Sequence, residues 1–146
     1  MFTTAMSQVP VNAFMQAEYH VQDDHNQLIL RVGRYSKALQ EIHFRFGASS
    51  SAFITACNPR SVIQSLQQNE NATQLLRQEL LATGYRSLPA TGRDPTLHWP
   101  DEPGFLIIDI TCKQAIELAA RYQQLAILFV DSHAIPKLEF TDNPYR

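Results

Sequence analysis

The residues best suited to chemistry fall in three short stretches. Asn58, Arg60 and Ser61 follow the run SAFITA, Asn69 and Asn71 begin an Asn-rich segment, and Gly92, Arg93, Asp94, His98, Trp99, Asp101 and Glu102 crowd the stretch ATGRDPTLHWPDEP. Asn offers a bidentate amide and Arg a planar fork matched to carboxylate or phosphate. A helix opened by Asn69 or Asn71 would add backbone N–H groups and the positive end of its dipole. Asn58, Arg60, Ser61, Asn71, Arg93, Asp94 and Trp99 are therefore candidate ligand-binding residues for a small polar or anionic partner. The loop could supply a general acid or base through His98, Asp94 or Glu102; His98 and Glu102 are the candidates for catalysis, either one acting as acid/base, with Arg60 or Arg93 stabilising developing charge. A simpler reading stands beside each. Asn58 and Ser61 could satisfy loop backbone while Arg60 pairs with an acid such as Glu102, and Trp99 could plug an Ω-like loop in which Gly92-Arg93-Asp94-Pro95 is a turn.

Other chemistries lack their signatures. Cys57 ends a strand where a nucleophile could lie, with His98 as its base, but no local motif supports that pair and a buried structural thiol is the simpler role. Cys57 and Cys112 form no CxxC, and the histidines show no HExxH or comparable spacing, so neither a disulfide framework nor a metal site is expected. GxGxxG, GxxxxGK[ST] and GxSxG are absent, and no cofactor is expected. With 12 Lys+Arg against 14 Asp+Glu and a formal charge of −2, bulk charge does not support nucleic-acid binding. No apolar run approaches the length of a membrane span, and the first residues carry no basic leader, so a cytoplasmic protein is expected.

Strand ends and helix starts must position these groups. Alternation over Phe14 to Val21 and Gln27 to Val32, around a polar turn at Asp23-Asp24-His25-Asn26, predicts a hairpin with Leu28, Leu30 and Val32 on one face. Ser36 caps a helix with Leu39, Ile42, His43 and Phe46 on its stripe and Gly47 at its end. Ser51 to Ala56 is a buried strand halted at Asn58-Pro59. A helix capped by Asn69 or Asn71 presents Ala72, Leu75, Leu76 and Leu80 and ends at Gly84. Tyr85 to Leu88 is a short strand, Ala90 to Pro103 a long loop, and Phe105 to Ile110 the next strand. Thr111 and Gln114 form a capping box on a helix through Tyr122, followed by strands at Leu125 to Val130 and Pro136 to Phe140.

The order ββαβαββαββ, rich in hairpins, predicts an α+β fold with a mixed or largely antiparallel sheet and about three helices packed on it. The 146 residues, 45% of them hydrophobic, fit a flexible arm over residues 1–12, one domain over 13–140 and a frayed tail over 141–146.

SAFITACNPRS, NENATQLLRQELLATGY, GRDPTLHWPDEPGFLI and LAARYQQLAILF, in that order, resemble an uncharacterised bacterial family, domain of unknown function 3293, from about Glu18 to Leu138. The resemblance implies that Asn58, Pro59, Ser61, Asn71, Gly84, Gly92, Trp99, Glu102, Pro103 and Gln124 are the family's characteristic residues, which adds Gln124 to the ligand-binding candidates. It brings no activity with it. The family commonly carries an aromatic where this chain has Cys57, which weighs against a nucleophile there, and an aromatic-Gly-Gln form where this chain has Tyr122-Gln123-Gln124. The expectation is a small binding module using the loop after SAFITA and the GRDPTLHWPDEP loop. A hydrolase or transferase built on Glu102 and His98, or an accessory subunit that docks a protein through the same loop, are the alternatives.

Overall fold

A computed structural model describes residues 14–24 and 26–143. The arm assigned to residues 1–12 lies outside that range, as do His25 and the last three residues of the tail. The described chain runs β1 (Glu18–Asp23), β2 (Asn26–Arg31), α1 (Lys37–Phe46), β3 (Ser51–Thr55), a 3₁₀ turn (Pro59–Ser61), α2 (Leu66–Thr83), β4 (Ser87–Arg93), β5 (Glu102–Ile108), α3 (Cys112–Arg121), β6 (Ala126–Val130) and β7 (Lys137–Phe140). The seven strands form one sheet in the order β2-β1-β4-β5-β3-β6-β7, and every neighbouring pair is antiparallel. The α+β class and the order of elements match the sequence expectation.

Strand alternation sorts the apolar side chains into two cores. Tyr19, Val21, Leu28, Leu30, Phe53, Leu106, Leu128 and Val130 point to one face and gather with Leu39 and Ile42 of α1. Ala52, Ile54, Phe105, Ile107 and Ile127 point to the other, under Leu76 and Leu80 of α2 and Ala115, Leu118 and Ala119 of α3. Residues of both halves of the sheet meet in the first core because the sheet curls into a half-barrel. The segments flanking its two edges meet as well, with the Gly33 N–H donating to Pro136 O at 2.8 Å and the Ser36 N–H to Ala134 O at 2.9 Å. At the end where β3 begins, α1 closes the inner face, and His43 Nε2 lies 2.8 Å from Ser51 Oγ. Burial pulls the His43 imidazole below its ordinary pKa, so it packs as a neutral group. The other end, where β3 stops at Thr55, is open.

Local signals explain most element boundaries. Ser36 accepts the Leu39 N–H as N-cap, Gly47 and Gly84 end their helices in the left-handed conformation, and Thr111 with Gln114 forms the expected box. Three expectations need correction. First, α2 starts earlier, because Ser65 and Gln68 form a full capping box; neither Asn69 nor Asn71 is the cap. Leu75 is then exposed, leaving Leu76 and Leu80 as the buried stripe. Second, both ends of the stretch 90–103 are strand: Thr91 pairs with Pro103 and Gly92 with Glu102, so the loop spans only 94–101. Prolines masked the strand, yet Pro89 is tolerated in a central strand because β1 pairing stops at Ala90 and no partner there needs its missing N–H. Third, Thr141, assigned to the tail, donates from its N–H to Leu125 O at 3.0 Å and from its hydroxyl to Gln124 O at 2.6 Å.

The α3 to β6 turn holds a non-glycine residue in the left-handed conformation. Gln123 has φ 57°, while the Gln123 N–H donates to Ala120 O and the Gln124 N–H to Ala119 O, both at 3.0 Å. A left-handed residue after a helix favours glycine, and a side chain there costs about 1 kcal/mol. Gln123→Gly is expected to raise unfolding stability by up to about 1 kcal/mol in urea denaturation; an unchanged or lowered midpoint would mean that the Gln123 side chain makes a compensating contact.

Candidate functional site

The open end of the half-barrel is a pocket. Its walls come from the inner core: Tyr19 of β1, Phe53 of β3, Leu128 of β6, Leu138 of β7, with Phe14 and Ala17 ahead of β1. The Tyr19 and Phe53 rings meet edge to face at 5.2 Å between centroids. Polar residues ring the mouth: Thr55, Ser61, Arg93, Asp94, Trp99, Glu102 and Gln124. The cavity volume is about 50 Å³, room for roughly three to five waters or a few heavy atoms of a ligand.

One hydrogen-bonded chain fixes the mouth. Asn58, 2% exposed, sits just past β3 in the left-handed conformation (φ 48°), which Asn tolerates better than most side chains. Its backbone N–H donates to Asn69 Oδ1 at 2.9 Å and its Oδ1 accepts from Asn69 Nδ2 at 2.9 Å and from the Gln64 N–H at 2.9 Å. The remaining group, Nδ2, donates to Glu102 Oε2 at 2.8 Å. Glu102 Oε2 also accepts the Trp99 indole N–H at 3.2 Å. Asn58 therefore ties the β3 end, the first turn of α2 and the first residue of β5 together.

That chain leaves Glu102 in an uneven state. Burial pushes its carboxyl above the ordinary carboxylate pKa, while donation from Asn58 and Trp99 works against the rise. Both donors fall on Oε2, and no described residue donates to Oε1. The Tyr19 hydroxyl is also pushed up, by burial first and then by the Glu102 charge.

The loop over 94–101 is organised by Asp94. Its Oδ1 accepts from the Thr96 N–H at 2.9 Å and hydroxyl at 2.7 Å, and its Oδ2 accepts from the N–H groups of His98 at 3.1 Å and Trp99 at 3.0 Å. Those donors, the Thr96 hydroxyl first, hold its carboxyl below the usual range. Asp94 thus aims Trp99 at Glu102 and has little capacity left for a ligand.

The other sequence candidates separate. Ser61 and Gln124 reach the pocket; Gln124 Nε2 donates to Cys57 O at 3.0 Å and Tyr122 O at 3.3 Å, which fixes which end of the amide is which. Arg93 lies at the rim with Nε 3.3 Å from Asp101, both side chains nearly half exposed. Arg60 is exposed and is held through its backbone, whose N–H donates to Gln123 O at 2.8 Å. Asn71 is exposed on α2, accepting from Gln67 Nε2 at 2.9 Å. His98 is exposed, its Nδ1 3.0 Å from Thr96 Oγ1, and lines no part of the pocket. The Cys57 thiol is buried among Pro103 O and Thr73 Oγ1 and pushed above its ordinary pKa by burial. No disulfide joins Cys57 and Cys112, and among the described residues no His, Cys, Asp or Glu cluster is arranged to hold a metal.

Sequence reading named Asn69 only as a cap and left Tyr19 and Phe53 out of the site. The Ser65 to Gln68 capping box was the signal that freed Asn69 to face Asn58. Period-two alternation through Leu88, Ala90 and Gly92 would have pointed Gly92 inward, toward Tyr19 and Phe53.

An antiparallel half-barrel, plugged at one end and holding a carboxyl-bearing pocket at the other, is the class that fold and site define. The family described as a protein of unknown function (DUF3293) matches residues 54–127, and the chain belongs to it. That stretch carries Asn58, Asn69, Trp99, Glu102 and Gln124, so it contains the polar half of the site, while Tyr19 and Leu138 lie outside it. No curated protein and no solved structure matches the chain.

Asn58 and Asn71 separate the hub from the helix surface. Asn58→Gly keeps the left-handed backbone but removes every side-chain bond, and is expected to lower unfolding stability by about 2–3 kcal/mol. Asn71→Ala should stay within about 0.5 kcal/mol of the parent. Equal denaturation midpoints for the two variants would show that the Asn58 network does not hold the mouth.

Proposed function

We propose that the protein is a small-ligand binding module whose site is the open end of the half-barrel, formed by the loop after β3 and the β4–β5 loop. One observation carries this reading: a concave, largely apolar pocket in which a half-buried carboxyl is anchored through one oxygen and left unengaged by described residues at the other. Barrel mouths and pockets with a few convergent polar groups are where small ligands bind. A raised carboxyl pKa in a cleft points the same way.

Gly92 adds independent support. A methyl at its Cα would meet the Phe53 ring at 3.6 Å and the Tyr19 ring at 3.7 Å, ordinary contacts. Neither packing nor a positive φ requires glycine here. Its bare Cα leaves space in the pocket, whereas at Gly104 a Cβ would lie 2.3 Å from Ile54 O and glycine is needed for the backbone approach of β3 and β5.

The acid–base alternative has less support. Of the two catalytic candidates only Glu102 faces the pocket, so Glu102 and His98 are not brought together among the described residues. An anionic ligand also fits less well than a polar one, because Arg60 points away and Arg93 is paired with Asp101 beside Asp94 and Glu102. A cytoplasmic setting belongs to this reading, supported by two cysteines that no disulfide joins. Among the described residues no helix is long and apolar enough to cross a membrane.

A thermal-shift screen against amino acids, amines, sugars, nucleotides and phosphates tests the reading, with Gly92→Ala as the partner variant. The variant is expected to melt at or slightly above the parent, by up to about 1 kcal/mol in stability, and to lose most of the ligand-induced shift. Ligands that stabilise both proteins equally would place binding elsewhere and contradict the proposal.

A further inference from the structure

The pocket's hydrogen-bonding capacity is lopsided. Behind the rim its donors are spent on the protein: the Tyr19 hydroxyl on Phe14 O at 3.2 Å, the Thr55 hydroxyl on Pro103 O at 2.7 Å, the Trp99 indole on Glu102, and the Gln124 amide on two carbonyls; Arg93, at the rim, gives its Nε to Asp101 and keeps its other N–H groups. Two acceptors are not spent, since no described residue donates to Glu102 Oε1 or Gln124 Oε1. The Ser61 hydroxyl can serve either way. Neither atom is sealed from solvent, since the buried side-chain atom without a partner among the described residues is His43 Nδ1; an occupant that displaces water from these acceptors must bring N–H or O–H groups to replace it.

Charge narrows the choice further. Arg93 is balanced by Asp101 at 3.3 Å, and Asp94 has both oxygens occupied by loop donors, which leaves the Glu102 carboxyl as the unmatched charge against apolar walls. Resting on the binding-module reading above, we infer that the pocket takes a small primary ammonium compound, its head on Glu102 Oε1 and its short apolar body against the Tyr19 and Phe53 rings. A charge-assisted N–H···O contact is about twice as strong as a neutral one. A nearby cation also favours the ionised carboxylate that burial disfavours. The cavity volume of about 50 Å³ limits the apolar body to a few carbons.

Three probes of equal length and different heads test this: n-butylamine, n-butanol and n-butyrate. The protein has one tryptophan, Trp99, whose indole N–H is bonded to the same carboxyl. Its resonance in ¹H–¹⁵N spectra therefore reports each titration. Butylamine should bind at least tenfold tighter than butanol, butyrate should bind more weakly than either, and Glu102→Gln should reduce butylamine to the level of butanol. Lowering pH through the Glu102 titration should weaken butylamine and leave butanol unchanged, a result that does not depend on the variant folding. Asp94, the other carboxyl at the mouth, titrates lower, and the Tyr19 hydroxyl, pushed up by burial, stays protonated in that range. Butyrate binding as tightly as butylamine, or butylamine indifferent to both Glu102→Gln and pH, would overturn the inference. In that case a butanol response abolished by Gly92→Ala would leave the pocket itself standing. Silence of Trp99 toward all three probes would remove the ammonium inference and the binding-module reading together.

Discussion

The buried amide of Asn58 is the contact on which the site depends. A side chain just past the central strand β3 has to satisfy four polar groups at a place where the chain reverses into α2. It does so with a reciprocal pair to Asn69, an acceptor for Gln64 and a donor for Glu102. In a low-dielectric setting such a network is worth more than its separate bonds and costs heavily when partly satisfied. The left-handed backbone at Asn58 follows from the same demand, because that conformation aims the amide back across the end of the sheet. Arg60 and Ser61, also at positive φ, continue a tight coil that brings Ser61 to the pocket. Strain of this kind persists only where the surroundings over-determine it.

From that hub the division of labour in the fold is plain. One core glues α2 and α3 to the outside of the sheet, and the second fills the inside of the curl under α1. The inner core reaches the open end only through Tyr19, Phe53 and Leu128, which form walls without a plug. The family match over 54–127 spans the hub, the loop and Gln124 but not β1, β2, α1 or β7. The polar head-group end of the pocket therefore lies in the shared segment, and part of its apolar wall is supplied by strands outside it.

The sequence carried the fold at the level of local codes. Capping signals at Ser36 and Thr111, glycines at 47 and 84, and alternation at Leu28 and Leu30 place their elements because each is a short-range physical requirement. Where two local codes competed, reading failed. Asn69 and Asn71 resemble caps, but Ser65 with Gln68 satisfies both ends of the box and wins; Pro89 argues against a central strand, but the one missing donor falls where no strand pairs. The candidate site was partly legible for a related reason. Asn58, Ser61, Asp94, Trp99, Glu102 and Gln124 do gather at one mouth, whereas Arg60, Asn71 and His98 face solvent and Arg93 spends its charge on Asp101. Which way a side chain faces at the end of a strand depends on the curl of the sheet, a long-range property that no spacing rule encodes. The curl also explains why Tyr19, distant in sequence, belongs to the site.

The central claim is that Asn58 and Trp99 hold one oxygen of a carboxyl whose pKa burial has raised. A pH titration of the unaltered protein reads all three groups at once: the Glu102 side-chain carboxyl carbon, the Asn58 side-chain amide and the Trp99 indole N–H, followed by NMR. The account predicts one shared midpoint for the three, above the ordinary carboxylate range. A Glu102 midpoint at the ordinary value, or Asn58 and Trp99 resonances that stay still while Glu102 titrates, would contradict it.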